Sequence, residues 1–199
     1  MKRLDRVIGR CVGIVLLLTI GLGPTLAQAN WGVRELMQSL AQTKSTKAHF
    51  TEKKYIGFVD TPIESSGELA FQAPDHLEKR TLQPQQEALV LDGERLTVEQ
   101  NGRRRFTIDL RRQPDAAAFV ESIRATLAGD REALEFYYAL DLKGSASDWQ
   151  LTLTPRQSGM RKVLTRIRMA GKQSTVSMIA FDQADGDRSE MQITRVTEP

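Results

Sequence analysis

Apolar and polar residues alternate along most of this chain, and the spacing lengthens to that of a helix in two places. Val33, Leu36, Met37 and Leu40 fall at i, i+3, i+4 and i+7, which predicts a short helix with one apolar stripe over Trp31 to Gln42. The period then drops to two. Ala48 to Tyr55, Ile63 to Phe71 and His76 to Leu82 read as strands, with Ile63, Leu69 and Phe71 on one face. Asp92-Gly93 and Asn101-Gly102 suit tight hairpin turns and link Glu87 to Leu91, Glu94 to Gln100 and Arg103 to Leu110 into a meander.

Pro114 ends that meander. In the segment Asp115 to Leu127, Phe119, Ile123 and Leu127 stand at helical spacing, and Gly129 supplies a stop. Alternation resumes in Phe136 to Lys143, Trp149 to Thr154, Arg161 to Met169, Ser174 to Phe181 and Ser189 to Val196. The turn-forming segments Gly144-Ser145, Pro155, Gly171 and Asp185-Gly186 separate these strands. The sum is eleven strands and about two helices, with no repeat or linker to divide the chain. Short connections favour an antiparallel sheet that curls into a barrel or half-barrel. About eight strands give an interior that side chains can fill, so eleven should leave a hollow unless something plugs it. The Phe119 helix is the available plug or lid.

The chain begins with a segment that resembles an export signal. Lys2, Arg3, Arg6 and Arg10 form a basic leader, Val12 to Leu26 is apolar, and Ala27-Gln28-Ala29 suits cleavage before Asn30. A retained anchor is the alternative, but about 15 apolar residues is short for a bilayer span of about 20. The expected layout is a signal peptide over residues 1–29 and one domain over residues 30–199, placed in the periplasm. A chain of this size can bury a real core.

That layout changes the chemistry available. Cys11 is in the leader, so the mature chain offers no disulfide, thiolate nucleophile or cysteine-ligated zinc. The leader also carries the whole formal charge of +3, and a neutral remainder gives no argument for nucleic acid. His49 and His76 fall in separate strands without ligand-spaced neighbours, and no nucleophile elbow, phosphate loop or zinc-protease motif occurs. No cofactor, metal or catalytic residue is expected. The segment Asp182 to Asp187 has some flavour of a calcium loop but lacks the full spacing, and reads as a hairpin turn. Arg103-Arg104-Arg105 and Arg111-Arg112 suit anionic headgroups, an acidic partner or solvated strand ends.

Gly67-Glu68-Leu69, Pro74, Gln83-Pro84, Asp92-Gly93 and Leu96 stand in the order and spacing of the N-terminal half of the LolA family, carriers of outer-membrane lipoproteins. His49-Phe50-Thr51-Glu52 resembles the first strand of that family, while Trp149 to Pro155 and Ile179 to Ile193 resemble its later hairpins. The resemblance implies an α+β fold: an open antiparallel half-barrel of about eleven strands under a helical lid, with acyl chains in an apolar hollow. It implies an acylated lipoprotein or other lipid as cargo, an inner-membrane exporter and an outer-membrane acceptor as partners, and no enzymatic activity. On this reading Phe50, Leu69, Phe71, Leu77, Leu89, Leu91, Leu96 and Phe106 form the wall. Phe119, Ile123 and Leu127 belong to the lid. Leu89 and Leu91 share one face and Ala88 and Val90 the other, so the inward set stands or falls together.

Three positions depart from the family pattern. The arginine that usually secures the lid is Ala73 here, the tryptophan soon after it is Lys79, and Pro199 follows soon after the last strand. These departures imply a different way of closing the lid and a divergent branch of the kind associated with lipid exporters or aryl-polyene-type pathways. Two further readings remain open: an interaction module with a packed interior, and an envelope hydrolase whose carboxylates converge in a cleft.

Overall fold

The computed structural model describes residues 31–196. The expected signal peptide and its cleavage site lie outside the described residues. Helix α1 (Val33–Leu40) precedes six strands, β1 (Ser45–Tyr55), β2 (Ile63–Gln72), β3 (His76–Gln83), β4 (Glu87–Asp92), β5 (Arg95–Gln100) and β6 (Arg103–Asp109). A 3-10 turn (Leu110–Arg112), α2 (Pro114–Ala128) and α3 (Arg131–Tyr137) follow. The chain then runs through β7 (Tyr138–Ser145), β8 (Asp148–Pro155), α4 (Ser158–Arg161), β9 (Leu164–Lys172), β10 (Thr175–Gln183) and β11 (Arg188–Arg195).

The eleven strands form one sheet in the order β6-β5-β4-β3-β2-β1-β11-β10-β9-β8-β7. Every neighbouring pair is antiparallel. Two meanders are therefore joined where the first strand meets the last, with Phe50 opposite Ile193. The sheet is open, and its edges are β6 and β7. Those two edges are consecutive in the chain, so the helical segment between them has to run from one edge of the sheet to the other. This connection places α2 over the sheet.

Two expectations need correcting. Phe136 and Tyr137 end a helix instead of starting β7, because Asp130 caps α3 by accepting the Ala133 N–H at 3.0 Å. Arg161 likewise closes the short helix α4, and β9 begins at Leu164. Elsewhere strand ends shift by a residue or two. The hairpin after β4 turns on Gly93-Glu94, with Asp92 opposite Arg95, so Glu94 belongs to the turn. Within Asp182 to Asp187, Asp182 and Gln183 end β10 and residues 184–187 form the β10–β11 turn, closed by Gln183 N–H donating to the Asp187 carbonyl at 2.8 Å. Among the described residues, no helix is long and apolar enough to cross a membrane.

The core lies at the β7–β10 side, where Trp149, Leu151, Leu153, Ile167 and Met169 pack with Leu36, Met37 and Leu40 of α1 and Leu134 of α3. Helix α2 joins this core through small side chains: Ala118, Ser122, Ala125 and Thr126 are buried. The two hydroxyls are satisfied within the helix, Ser122 Oγ donating to the Phe119 carbonyl and Thr126 Oγ1 to the Ser122 carbonyl, each at 2.6 Å. Tyr138 Oη donates to the Ala118 carbonyl at 3.1 Å and ties α2 to the start of β7.

Burial pushes the Tyr138 phenol up to about 12, although a bond with Ser122 pulls the other way. The neutral phenol is thus favoured in the folded chain, while the unfolded chain ionises near 10. The contribution of Tyr138 to stability is intact below pH 10 and is lost as pH rises from 10 towards 12. Alkaline unfolding of the native chain should steepen across that window, and Tyr138→Phe should flatten the profile. Equal slopes in urea titrations of the two proteins would contradict this.

Candidate functional site: a hollow beneath a helical lid

The sheet and α2 border a hollow of about 740 Å³. Its origin is visible in the packing of α2, which buries its small residues and leaves its large ones uncovered. Phe119 is 39% exposed, and Ile123 and Leu127 are half-buried, whereas Ala118 and Ser122 on the other face are fully buried. All three large side chains border the hollow. Phe119 meets Phe181 of β10 with ring centroids 5.0 Å apart, one contact between lid and sheet across the space.

The opposite wall is built by cross-strand registry. Phe71, Leu77, Leu91 and Leu96 stand in one row across β2 to β5, and Leu69 and Leu89 belong to the next row. All six border the hollow. Nine of the eleven residues assigned from the sequence to wall and lid are therefore brought together around one space, with Leu89 and Leu91 on its side of β4. Two are not. Phe106 shares the row of Leu89 and Val98 but lies on edge strand β6, where it is 53% exposed and outside the lining. Phe50 points the same way but is buried beneath the Lys79 ammonium, which stands 5.0 Å from its ring centroid.

Sequence reasoning passed over the second half of the wall. Val176, Ile179, Phe181, Met191 and Ile193 on β10 and β11 also border the hollow. Their alternation was readable, but only the β1–β11 pairing carries this face on from Ala48 and Phe50. It also passed over two charged pairs. Glu52 and Lys79 border the hollow and form an ion pair at 2.5 Å. On the lid, Arg124 donates to the Gly93 carbonyl at 3.3 Å and pairs with Glu94 at 3.4 Å and with Glu121.

Arg124 supplies a connection that Ala73 cannot make: a guanidinium carried by the lid helix grips the β4–β5 turn. Burial opposes its charge, but the Glu121 and Glu94 carboxylates outweigh burial and hold its pKa above the ordinary arginine value. Hydrogen bonds of charged groups contribute about 1.5–3 kcal/mol, and partial exposure of this one puts it at the low end. Arg124→Ala should raise the open population of α2 about tenfold, the equivalent of about 1.4 kcal/mol. Amide hydrogen exchange over residues 114–128 reads this directly, and unchanged protection there would show that Arg124 does not hold the lid.

Residues 26–196 match the family model described as outer membrane lipoprotein carrier protein LolA-like. The chain belongs to this LolA-like family. No match is found among curated protein sequences. Solved structures similar to this LolA-like chain include the LolA superfamily protein NE2245 from Nitrosomonas europaea, at 8% identity and a TM-score of 0.44, covering 85% of this chain and 95% of that one. A chain in the MucA/MucB complex of Pseudomonas aeruginosa is 14% identical with a TM-score of 0.45, covering 84% of this chain and 58% of that one. The Mycobacterium tuberculosis lipoprotein LppX is 12% identical with a TM-score of 0.41, covering 81% of this chain and 93% of that one.

Proposed function

We propose that this LolA-like protein is a periplasmic carrier, not an enzyme, that sequesters the acyl chains of a lipoprotein or other lipid and hands its cargo toward the outer membrane. The observation that carries this reading is the hollow of about 740 Å³ walled by aliphatic and aromatic side chains on both sheet and lid. Its size falls within the range of about 300–1,000 Å³ typical of small-molecule sites. Each methylene group moved from water into such a space gains about 0.8 kcal/mol, so an acyl chain has a strong reason to occupy it. A signal peptide over residues 1–29 followed by a single carrier domain fits this role, as do an exporter that loads the hollow and an acceptor that empties it.

Native mass spectrometry of the protein purified from its own periplasm, followed by extraction and identification of bound molecules, tests the proposal. An acylated lipoprotein or a free lipid in the hollow is the expected result. A protein that emerges empty, and that takes up no fluorescent fatty acid when offered one, would overturn the carrier reading. A second reading, an interaction module of a lipid-export pathway, draws support from edge strand β6, on which Arg103, Arg104 and Arg105 are all exposed. Serine at these three positions would then abolish partner capture, whereas a carrier would keep its lipid binding.

A further inference from the structure

The hollow is not uniformly apolar, and charged side chains stand together on one stretch of its wall. The β1 residues that face it run from Thr46 and Ala48, past the covered Phe50, to Glu52 and Lys54, a length of roughly 27 Å for an extended strand. The Thr46 end lies in the row of Phe71, Leu77, Leu91 and Leu96. The Lys54 end lies opposite Ser189, with Gln183 and the exposed Val163 also on the lining. The Thr46 end carries the aliphatic row together with the exposed Arg195 opposite Ala48, and the Lys54 end gathers Glu52, Lys54, Ser189 and Gln183 beside Phe181 and Val163.

Lys79 starts within the apolar part. Its strand position places it between Leu69 and Leu89, yet its side chain crosses the Phe50 ring and ends on the Glu52 carboxylate at 2.5 Å. The Lys79 side chain is 26% exposed and that of Glu52 is 15% exposed, and both border the hollow. Such a pair gives little net stability, since an apolar pair of similar volume often serves a fold as well or better. A further ammonium follows. Lys54, the next inward residue on β1, borders the same space, and among the described residues no carboxylate lies within ion-pair distance of it. Glu78, which also borders the hollow, is already paired with Arg80. Two ammonium groups therefore stand beside a single carboxylate, Glu52, which Lys79 already holds.

We infer that Lys79 and Lys54 form a headgroup site for an anionic lipid, with a phosphate or carboxylate bound there while the acyl chains extend toward Leu77 and Leu91. Glu52 occupies Lys79 when the hollow is empty and competes with the ligand's anion for it. The Phe50 ring supports the ammonium from below and keeps it at the level of the incoming headgroup. This inference rests on the carrier reading and adds the class of cargo to it.

The test measures displacement of a neutral fluorescent acyl probe from the full mature protein by dioleoylphosphatidic acid, oleate and dioleoylglycerol. The native protein should prefer the anionic lipids to dioleoylglycerol by about tenfold, the scale of one charged hydrogen bond. Phosphatidic acid ahead of oleate would identify phosphate as the headgroup, and the reverse order carboxylate. Lys79→Met should remove the preference for phosphatidic acid and oleate over dioleoylglycerol. Glu52→Gln should tighten phosphatidic acid binding roughly tenfold by releasing Lys79 from its competitor, a gain that no folding defect can imitate. Equal binding of all three lipids, with no gain in Glu52→Gln, would overturn the headgroup site and leave the carrier reading standing. Failure of every lipid to bind would overturn both.

Discussion

Replacing Ile123 by aspartate should abolish acyl-chain binding while the protein stays folded. Ile123 is half-buried on the hollow side of α2, so in the empty protein a carboxylate there remains in contact with water. An acyl chain would have to strip that water from a charge with no partner, at a cost of several kcal/mol. The expected loss of affinity is on the order of 100-fold or more, the equivalent of about 2.7 kcal/mol. Leu89→Asp should behave alike from the opposite wall, because Leu89 is also half-buried and borders the hollow. Leu82→Asp supplies the control, since Leu82 is exposed and lies outside the lining. Displacement of a fluorescent fatty acid, with circular dichroism to confirm folding, reads the effect. Binding by Ile123→Asp within about threefold of the native protein, a difference under about 1 kcal/mol, would show that the hollow is not where acyl chains go.

Gly67→Ala should be the most destabilising single-methyl change in the wall. Gly67 lies opposite Phe50 on β1 and Thr81 on β3, beside an irregularity in the β2–β3 register. A Cβ at this position would stand 1.9 Å from the Arg80 carbonyl oxygen and 3.0 Å from the Phe50 ring. The nearest obstacle is backbone and cannot rotate away, so β3 would have to move. A cost of about 3 kcal/mol or more is expected, which lowers the melting temperature by roughly 10 °C in a domain of this size. The Lys79–Glu52 pair should loosen with it, because Phe50 lies beneath Lys79. Thermal unfolding within about 2 °C of the native protein, less than about 1 kcal/mol, would contradict this account.

Gly67 also marks the boundary of what the chain discloses by itself. Its place in the Gly67-Glu68-Leu69 motif is plain in the sequence, and so is the family likeness that the motif carries. The reason that only glycine fits is the approach of Arg80 and Phe50, which no local pattern shows. The helix α3 is a different kind of omission. Asp130 in capping position ahead of Glu132, Ala133, Leu134 and Glu135 was a readable start signal, but the alternation that begins at Phe136 outweighed it. For the grip of Arg124 on Gly93 and Glu94 the sequence held no signal, since it joins residues about 30 positions apart.

The sequence alone determined the eleven strands, the helices α1 and α2, and the side of β4 that Leu89 and Leu91 share. These features depend on periods of two or 3.6 residues, which neighbouring positions impose on one another. Tertiary structure decided the rest. It joined β1 to β11, left Phe106 on an exposed edge, covered Phe50 with Lys79, and turned the large side chains of α2 toward empty space while its small ones packed. Each of those outcomes depends on which distant residue arrives at the same place. The hollow is the clearest case, because a leucine that faces a packed core and a leucine that faces a cavity follow the same alternation along the strand.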